Sequence, residues 1–281
     1  MTPRADAHIH LFKGGYKGGS FASRPGVKLD EAACYASFAQ DHNVSAAFIV
    51  GYAGARWCAK NNDYLAQVAT VYDWVRPGAS VDPAKPPAVE TLEEWKSKGF
   101  VGITLYISGA EAIDALHSIP DEVWQWLVEN RWLVSVNSRG KDWSAWTDIL
   151  EDHGELRLVA SHLGLPPKVS APLSRTEARN AMATVLDLAQ YPCTRVKLSG
   201  FYALTDPGYD FPHEAAWPYV EALQHAFGVE RLLWASDFTP CLDSLTFPQT
   251  FGLFSHMPFL TDEDRQQIEG ANLLELLAEV G

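Results

Sequence analysis

Eight short apolar runs, each followed by a longer amphipathic stretch, constrain this 281-residue chain more than any other feature. The runs are ADAHIHL (5–11), VSAAFIV (44–50), WVRPGASV (74–81), GFVGITLYI (99–107), WLVSVN (132–137), LRLVASHLG (156–164), RVKLSGFYAL (195–204) and RLLWASDF (231–238). Helix-like segments lie between them: DEAACYASFAQDHN from Asp30, DYLAQVATVYDW from Asp63, DEVWQWLVENR from Asp121 and ARNAMATVLDLAQY. In the last of these, Met182, Val185, Leu186 and Ala189 share one helical stripe. Val220, Leu223 and Phe227 repeat that spacing after Pro212, and Thr261-Asp262-Glu263-Asp264 is close to a capping box ahead of a final helix. A strand and helix recurring every roughly 25 to 40 residues have the size of a βαβ unit. Eight such units predict a closed (β/α)8 TIM barrel of the α/β class, one domain over residues 1–281. The nearest thing to a linker, Asp82-Pro83-Ala84-Lys85-Pro86-Pro87, is short and reads as a loop. An open doubly wound sheet is the alternative, weakened because no run is followed by a GxGxxG turn.

Barrels of this kind gather their chemistry at the C-terminal ends of the strands. There the sequence places His8 and His10 (first run), Asn137 (fifth), His162 (sixth) and Asp237 (eighth). Strict alternation would put Asp6, His8 and His10 on one face. It would do the same for Leu133, Ser135 and Asn137, for Leu158, Ala160 and His162, and for Leu233, Ala235 and Asp237. With those faces inward, the polar groups converge on one cavity. Taken singly, each has a plainer explanation: a lone histidine is commonly a hydrogen-bonded structural residue, and an aspartate at a strand end often caps the next helix. Their coincidence at matching ends of different strands is what argues for a site. In Val196-Lys197-Leu198-Ser199 the apolar pair should face the helices, sending Lys197 and Ser199 toward the axis. A buried ammonium there needs a partner, and Asp6 and Asp237 are available. A structural ion pair and a catalytic role are both open for it.

Charge narrows the function classes. Lys and Arg total 22 against 35 acidic residues, a formal charge of -13, which would repel phosphate backbones and anionic membranes. Nucleic-acid and membrane partners are therefore not expected. No run has the length of a membrane span, and no secretory signal is visible. The four cysteines, Cys34, Cys58, Cys193 and Cys241, are scattered, as suits reduced thiols in a cytoplasmic protein.

DAHIHLF near the start, SHLG, VKLSG and WASDFTP, in that order along the whole chain, resemble the amidohydrolase superfamily, amidohydrolase-2 type. The branch they are most similar to holds 2-pyrone-4,6-dicarboxylate lactonase and the sugar-acid lactonases. The resemblance implies a TIM barrel that hydrolyses a cyclic ester at its mouth. Position by position, it implies catalytic roles for His8, His10, His162 and Asp237. Two departures stand out. Metal-dependent members carry a histidine where this chain has Asn137, and dinuclear members carry a Lys or Glu on strand four, where GITLY offers Thr104 and Tyr106. A bridged metal pair is thus not expected. The resemblance leaves two options: no required cofactor, or one divalent ion, zinc first, held by His8, His10 and Asp237. Ser161 stands where a DHxG motif would have its aspartate. The dicarboxylate lactonase has an arginine where Thr104 falls, so its substrate does not carry over.

The expected reaction is water attack on a lactone carbonyl, with Asp237 taking the proton and the histidines orienting water and stabilising the oxyanion. With a metal, the ion would polarise the carbonyl and acidify the water. Asn137, Arg139, Lys197, Tyr106, Arg56 and Tyr202 are the candidate substrate contacts, with Lys13, Lys17 and Lys141 near the mouth. Ordinary solvated surface charge is the better explanation for any one of these cations taken singly. An Arg fork would suit a carboxylate, so the expected substrate is a small anionic or polyhydroxylated lactone. Tyr106, Tyr202, Trp217 and Phe238 would wall a ring or simply pack. LFKGGYKGGS lacks the GK[ST] ending of a phosphate loop and reads as a lid or turn. The rivals are a metal-dependent non-oxidative decarboxylase of an aromatic or muconate-type acid, an amide hydrolase on the same barrel, and a non-catalytic barrel that binds a small acid. The oligomeric state is left open.

Overall fold

The aliphatic and β-branched runs pair side by side as parallel strands. The computed structural model describes residues 3–18 and 29–281. Its strands are β1 (Arg4–Ile9), β2 (Val44–Val50), β3 (Val75–Ser80), β4 (Gly102–Tyr106), β5 (Leu133–Asn137), β6 (Arg157–Ala160), β7 (Arg195–Leu198) and β8 (Leu232–Trp234). They form one eight-stranded sheet in chain order. The sheet curls back on itself where Ile9 bridges Phe238 and the Asp237 amide donates to the His8 carbonyl. Helices follow the strands, so the molecule is a single (β/α)8 barrel. No helix among the described residues is long and apolar enough to cross a membrane.

Two apolar layers hold the barrel. One lies outside the sheet, where Ile49, Ile103, Leu105, Val134, Val136, Leu158, Leu198 and Trp234 pack under the helices. The other fills the axis with Ala5, Ala7, Phe48, Val50, Leu133, Val159, Leu233 and Ala235, and Leu273 and Leu276 of the last helix plug its floor. Large and small residues alternate inside: a Cβ on Gly78 would lie 2.5 Å from the Phe48 ring. Truncating a ring so enclosed costs about 3–5 kcal/mol. The helix starts follow the sequence. Asp30 caps Glu31–Asp41 by accepting from the Ala33 amide, and Thr261 with Asp264 forms a full capping box. The expected continuous helix around Met182 is instead two, Arg175–Ala181 and Ala183–Asp187, parted by non-helical backbone at Met182. Its stripe is still apolar and inward, since Met182 and Val185 are buried.

Strict alternation fails at two strands. On β1 the pairing jumps from Asp6 opposite Ala47 to Ile9 opposite Ile49. Two β1 residues therefore oppose Phe48 alone, a β-bulge. Ala5 and Ala7 consequently face the axis, and Asp6 does not share a face with His8 and His10. Asp6 reaches outward to the helix Glu31–Asp41, accepting from the Tyr35 hydroxyl at 2.9 Å and from the backbone amides of Ser236 and His8. On β6, Leu158 and Ala160 face the helices, not the axis. His162 is turned inward by a left-handed backbone, φ 53°, just past the strand end. Asp237 has the same kind of conformation, φ 58°. Non-glycine residues in this region are uncommon and cluster at functional sites.

Candidate active site

Four side chains meet at the C-terminal mouth. His8 Nε2 and His10 Nε2 are 3.1 Å apart, and each faces Asp237 Oδ1, at 3.6 and 3.7 Å. The His162 ring stands 4.6 Å from that of His8, centre to centre. All four residues are buried. Three of them are held by a neighbour outside the group: His10 Nδ1 lies 2.9 Å from the Val50 carbonyl, His162 Nδ1 lies 2.9 Å from Ser199 Oγ, and the Tyr202 hydroxyl donates to Asp237 Oδ2 at 2.5 Å.

Burial decides the charge states. Desolvation first, then the nearby Lys197, hold His10 down to about 4 and His162 to about 3, and push His8 well below its ordinary value. All three are neutral imidazoles at pH 7. Asp237 moves the other way, up to about 7, chiefly by desolvation. The Tyr202 hydrogen bond opposes that rise, and Asp6 adds to it. A carboxyl poised near neutrality suits a general base.

Beyond these groups lies a cavity of about 490 Å3. Its walls are aromatic: Phe12, Tyr16, Tyr52, Trp57, Tyr106 and Tyr202, with Asn137 from the end of β5. Phe12 and Trp57 meet edge to face at 4.8 Å, and Tyr52 and Tyr106 at 5.0 Å. A buried carboxylate organises this rim. Glu31 accepts from the Phe12 and Tyr16 amides and from the Thr239 hydroxyl, tying the loop after β1 to the segment after β8.

The sequence candidates divide by position. Asn137, Tyr106 and Tyr202 line the cavity with His10, His162 and Asp237. Arg56 and Arg139 are exposed and are not among the residues lining it. The same is true of Lys13, Lys17 and Lys141. Phe238 is fully buried against Tyr35 and Phe38, and Trp217 donates to the Pro212 carbonyl, so these two pack and do not wall the cavity. Gly19 and Ser20, which end LFKGGYKGGS, lie outside the described residues. The sequence reading missed Phe12, Tyr16, Tyr52 and Trp57. The available signal was aromatic residues directly after the first two strands. It also missed the pairings of Ser199 with His162 and Tyr202 with Asp237.

Lys197 sits beneath the cavity, inside the barrel. Its Nζ donates to Ser135 Oγ at 2.6 Å, lies 3.5 Å from His8 Nδ1 and rests over the Phe48 ring. Among the described residues it forms no ion pair, and Asp6 is committed to Tyr35 and two backbone amides. Desolvation lowers it to about 7, with Asp6 and Asp237 pulling it back up.

The distances would admit one divalent ion. His8, His162 and Asp237 each offer a ligand atom within 4.8 Å of the others, and His8, His10 and Asp237 lie as close together. His8 belongs to both sets. A metal-bound imidazole gives its second N–H to an acceptor. His10 has one in the Val50 carbonyl, but the second nitrogen of His8 faces Lys197, a donor. Facing an ammonium, which has no lone pair to accept the second N–H of a metal-bound ring, His8 does not fit a resident ion.

Residues 5–277 match the family described as amidohydrolase. An L-fucono-1,5-lactonase of Burkholderia ambifaria is 36% identical over 83 residues, 30% of this chain and 26% of that enzyme. The aligned stretch thus spans about a quarter of that relative's length. A crystal structure of an amidohydrolase from Burkholderia multivorans with bound zinc superposes with a TM-score of 0.78 at 19% identity, covering 98% of this chain and 99% of the other. A probable 2-pyrone-4,6-dicarboxylic acid hydrolase from Acinetobacter baumannii, with citric acid bound, gives a TM-score of 0.75 at 18% identity, covering 99% and 100%.

Proposed function

The chain belongs to the amidohydrolase family, and from that premise we propose that it opens a small, uncharged, hydroxyl-rich lactone by attack of water, with Asp237 as the base. One observation carries the reading. Asp237 lines the cavity, Tyr202 occupies its Oδ2, and Oδ1 stands 3.6 and 3.7 Å from the His8 and His10 ring nitrogens, so Oδ1 is the oxygen left to take a proton. Oδ1 takes a proton from water as the oxygen bonds to the lactone carbonyl carbon. The ring C–O bond then breaks, and the same proton passes to the departing alkoxide, leaving a hydroxy acid. His162 donates to the developing oxyanion from Nε2 when Ser199 gives its hydrogen to Nδ1. A donor aimed at such charge away from bulk water is worth about 2.7–4 kcal/mol. No step passes through a metal.

The cavity supports the substrate class. Among the described residues the lining carries no Lys or Arg. Tyr52, Tyr106 and Asn137 offer polar groups, and the Phe12–Trp57 wall offers flat apolar faces. The matched stretch of the L-fucono-1,5-lactonase points the same way. The four free cysteines suit a reducing compartment such as the cytoplasm. The test is a panel of γ- and δ-aldonolactones and a pyrone dicarboxylate at pH 7.5, with acid release followed by an indicator. Turnover of aldonolactones is expected. Silence across them, with turnover of the dicarboxylate or tight binding of a small acid alone, overturns the reading.

A further inference from the structure

We infer that Lys197 is a positioning residue that holds the His8–His10 pair in one hydrogen-bond direction and so keeps a divalent ion from settling at the mouth of the barrel. The Val50 carbonyl can only accept, so His10 carries its hydrogen on Nδ1, 2.9 Å away. His10 is then bare at Nε2. At 3.1 Å, His8 Nε2 must supply the hydrogen between the two rings. That leaves His8 bare at Nδ1, where Lys197 Nζ stands at 3.5 Å. As ammonium, Lys197 has hydrogens to give and no lone pair with which to accept. The chain therefore runs one way, from Lys197 through His8 and His10 to Val50, and both neutral rings use their inward nitrogens on each other.

A metal ion would need the reverse. To ligate, His8 must expose the lone pair of Nε2 and move its hydrogen to Nδ1, against the hydrogens of Lys197. The ring would also give up its bond to His10. Since His8 is common to both three-ligand groupings at this mouth, its tautomer governs the whole site. Ordinary metal-binding histidines have a carboxylate, carbonyl or water at this second nitrogen, and altering that partner changes metal affinity about 10–100-fold. Lys197 is placed by Ser135 at 2.6 Å and by the Phe48 ring, neither of which is a metal ligand. It acts through His8, without touching the cavity.

Two readouts test this, and neither depends on which substrate the enzyme takes. Nitrogen-15 spectra of histidine-labelled wild-type protein should show His8 protonated at Nε2 and bare at Nδ1. Protonation at Nδ1 overturns the inference. Zinc chloride is then titrated into wild-type, Lys197→Gln and Lys197→Met proteins against a chromophoric chelator. The Gln side chain offers His8 an acceptor and should bind zinc at least about 10-fold tighter than wild type. The Met side chain removes the donor and should fall between. Equal zinc affinity in the folded variants and wild type overturns the inference. A variant that fails to fold leaves the other variant and the wild-type spectrum to decide.

Discussion

The Tyr202 hydroxyl donates to Oδ2 of Asp237 at 2.5 Å, leaving Oδ1 as the carboxylate oxygen that faces His8 and His10. The two residues come from different βα units, Tyr202 from the short helix Phe201–Leu204 after β7 and Asp237 from the segment after β8. The phenol thus selects which oxygen is free, and its hydrogen bond favours the ionised carboxyl. Removing it in Tyr202→Phe should raise the carboxyl further. The acidic limb of kcat/KM against pH should move to higher pH, with about a ten-fold loss at pH 7 that narrows by pH 9. An unmoved limb would deny Tyr202 this role.

In the wild-type enzyme that limb should fall near pH 7, because Asp237 must be ionised to accept a proton and burial holds it up to about 7. Activity should drop as pH falls below this value and level off above it. On the plateau above that limb, Asp237→Asn should lose at least about 1000-fold in kcat, since an amide cannot take the proton, and the difference should shrink as the wild type loses its own carboxylate below pH 7.

The same substitution makes a stability prediction of opposite sign. The folded carboxyl titrates at about 7, above an unfolded value of about 3.9. A raised carboxyl favours the fold while protonated, so that stability is present below about pH 4 and lost as pH rises toward 7. Asparagine has no such dependence. Thermal melts of Asp237→Asn and wild type should differ more in favour of the variant at pH 8 than at pH 4. A constant difference would mean the carboxyl is not desolvated in the fold.

Metal removal should leave turnover intact. Dialysis against EDTA is expected to change kcat by less than about two-fold, and added zinc should not raise it, because His8 is held in a non-ligating form. An enzyme emptied by chelation and restored by zinc would reverse the metal-free reading.

Glu31→Gln should loosen the rim. The carboxylate accepts three hydrogens, from Phe12, Tyr16 and Thr239, and an amide would turn its own hydrogens against one or more of these donors. Each buried donor left unmet costs about 1–3 kcal/mol. KM should rise several-fold more than kcat falls, since Phe12 and Tyr16 line the cavity while Asp237 is held elsewhere. A fall confined to kcat would place Glu31's influence at the chemistry itself.

The sequence alone determined the eight strand–helix units and the arrival of His8, His10, Asn137 and Asp237 at strand ends. Apolar periodicity is written into neighbouring residues, and burial enforces it. Tertiary structure alone decided how those ends are turned. The β1 bulge that swings Asp6 toward Tyr35, the left-handed turn that brings His162 inward, and the contacts of Lys197 with His8 and Tyr202 with Asp237 join groups far apart in the chain. No local spacing encodes them, because a bulge or a cross-strand hydrogen bond exists only once the partner strand is in place.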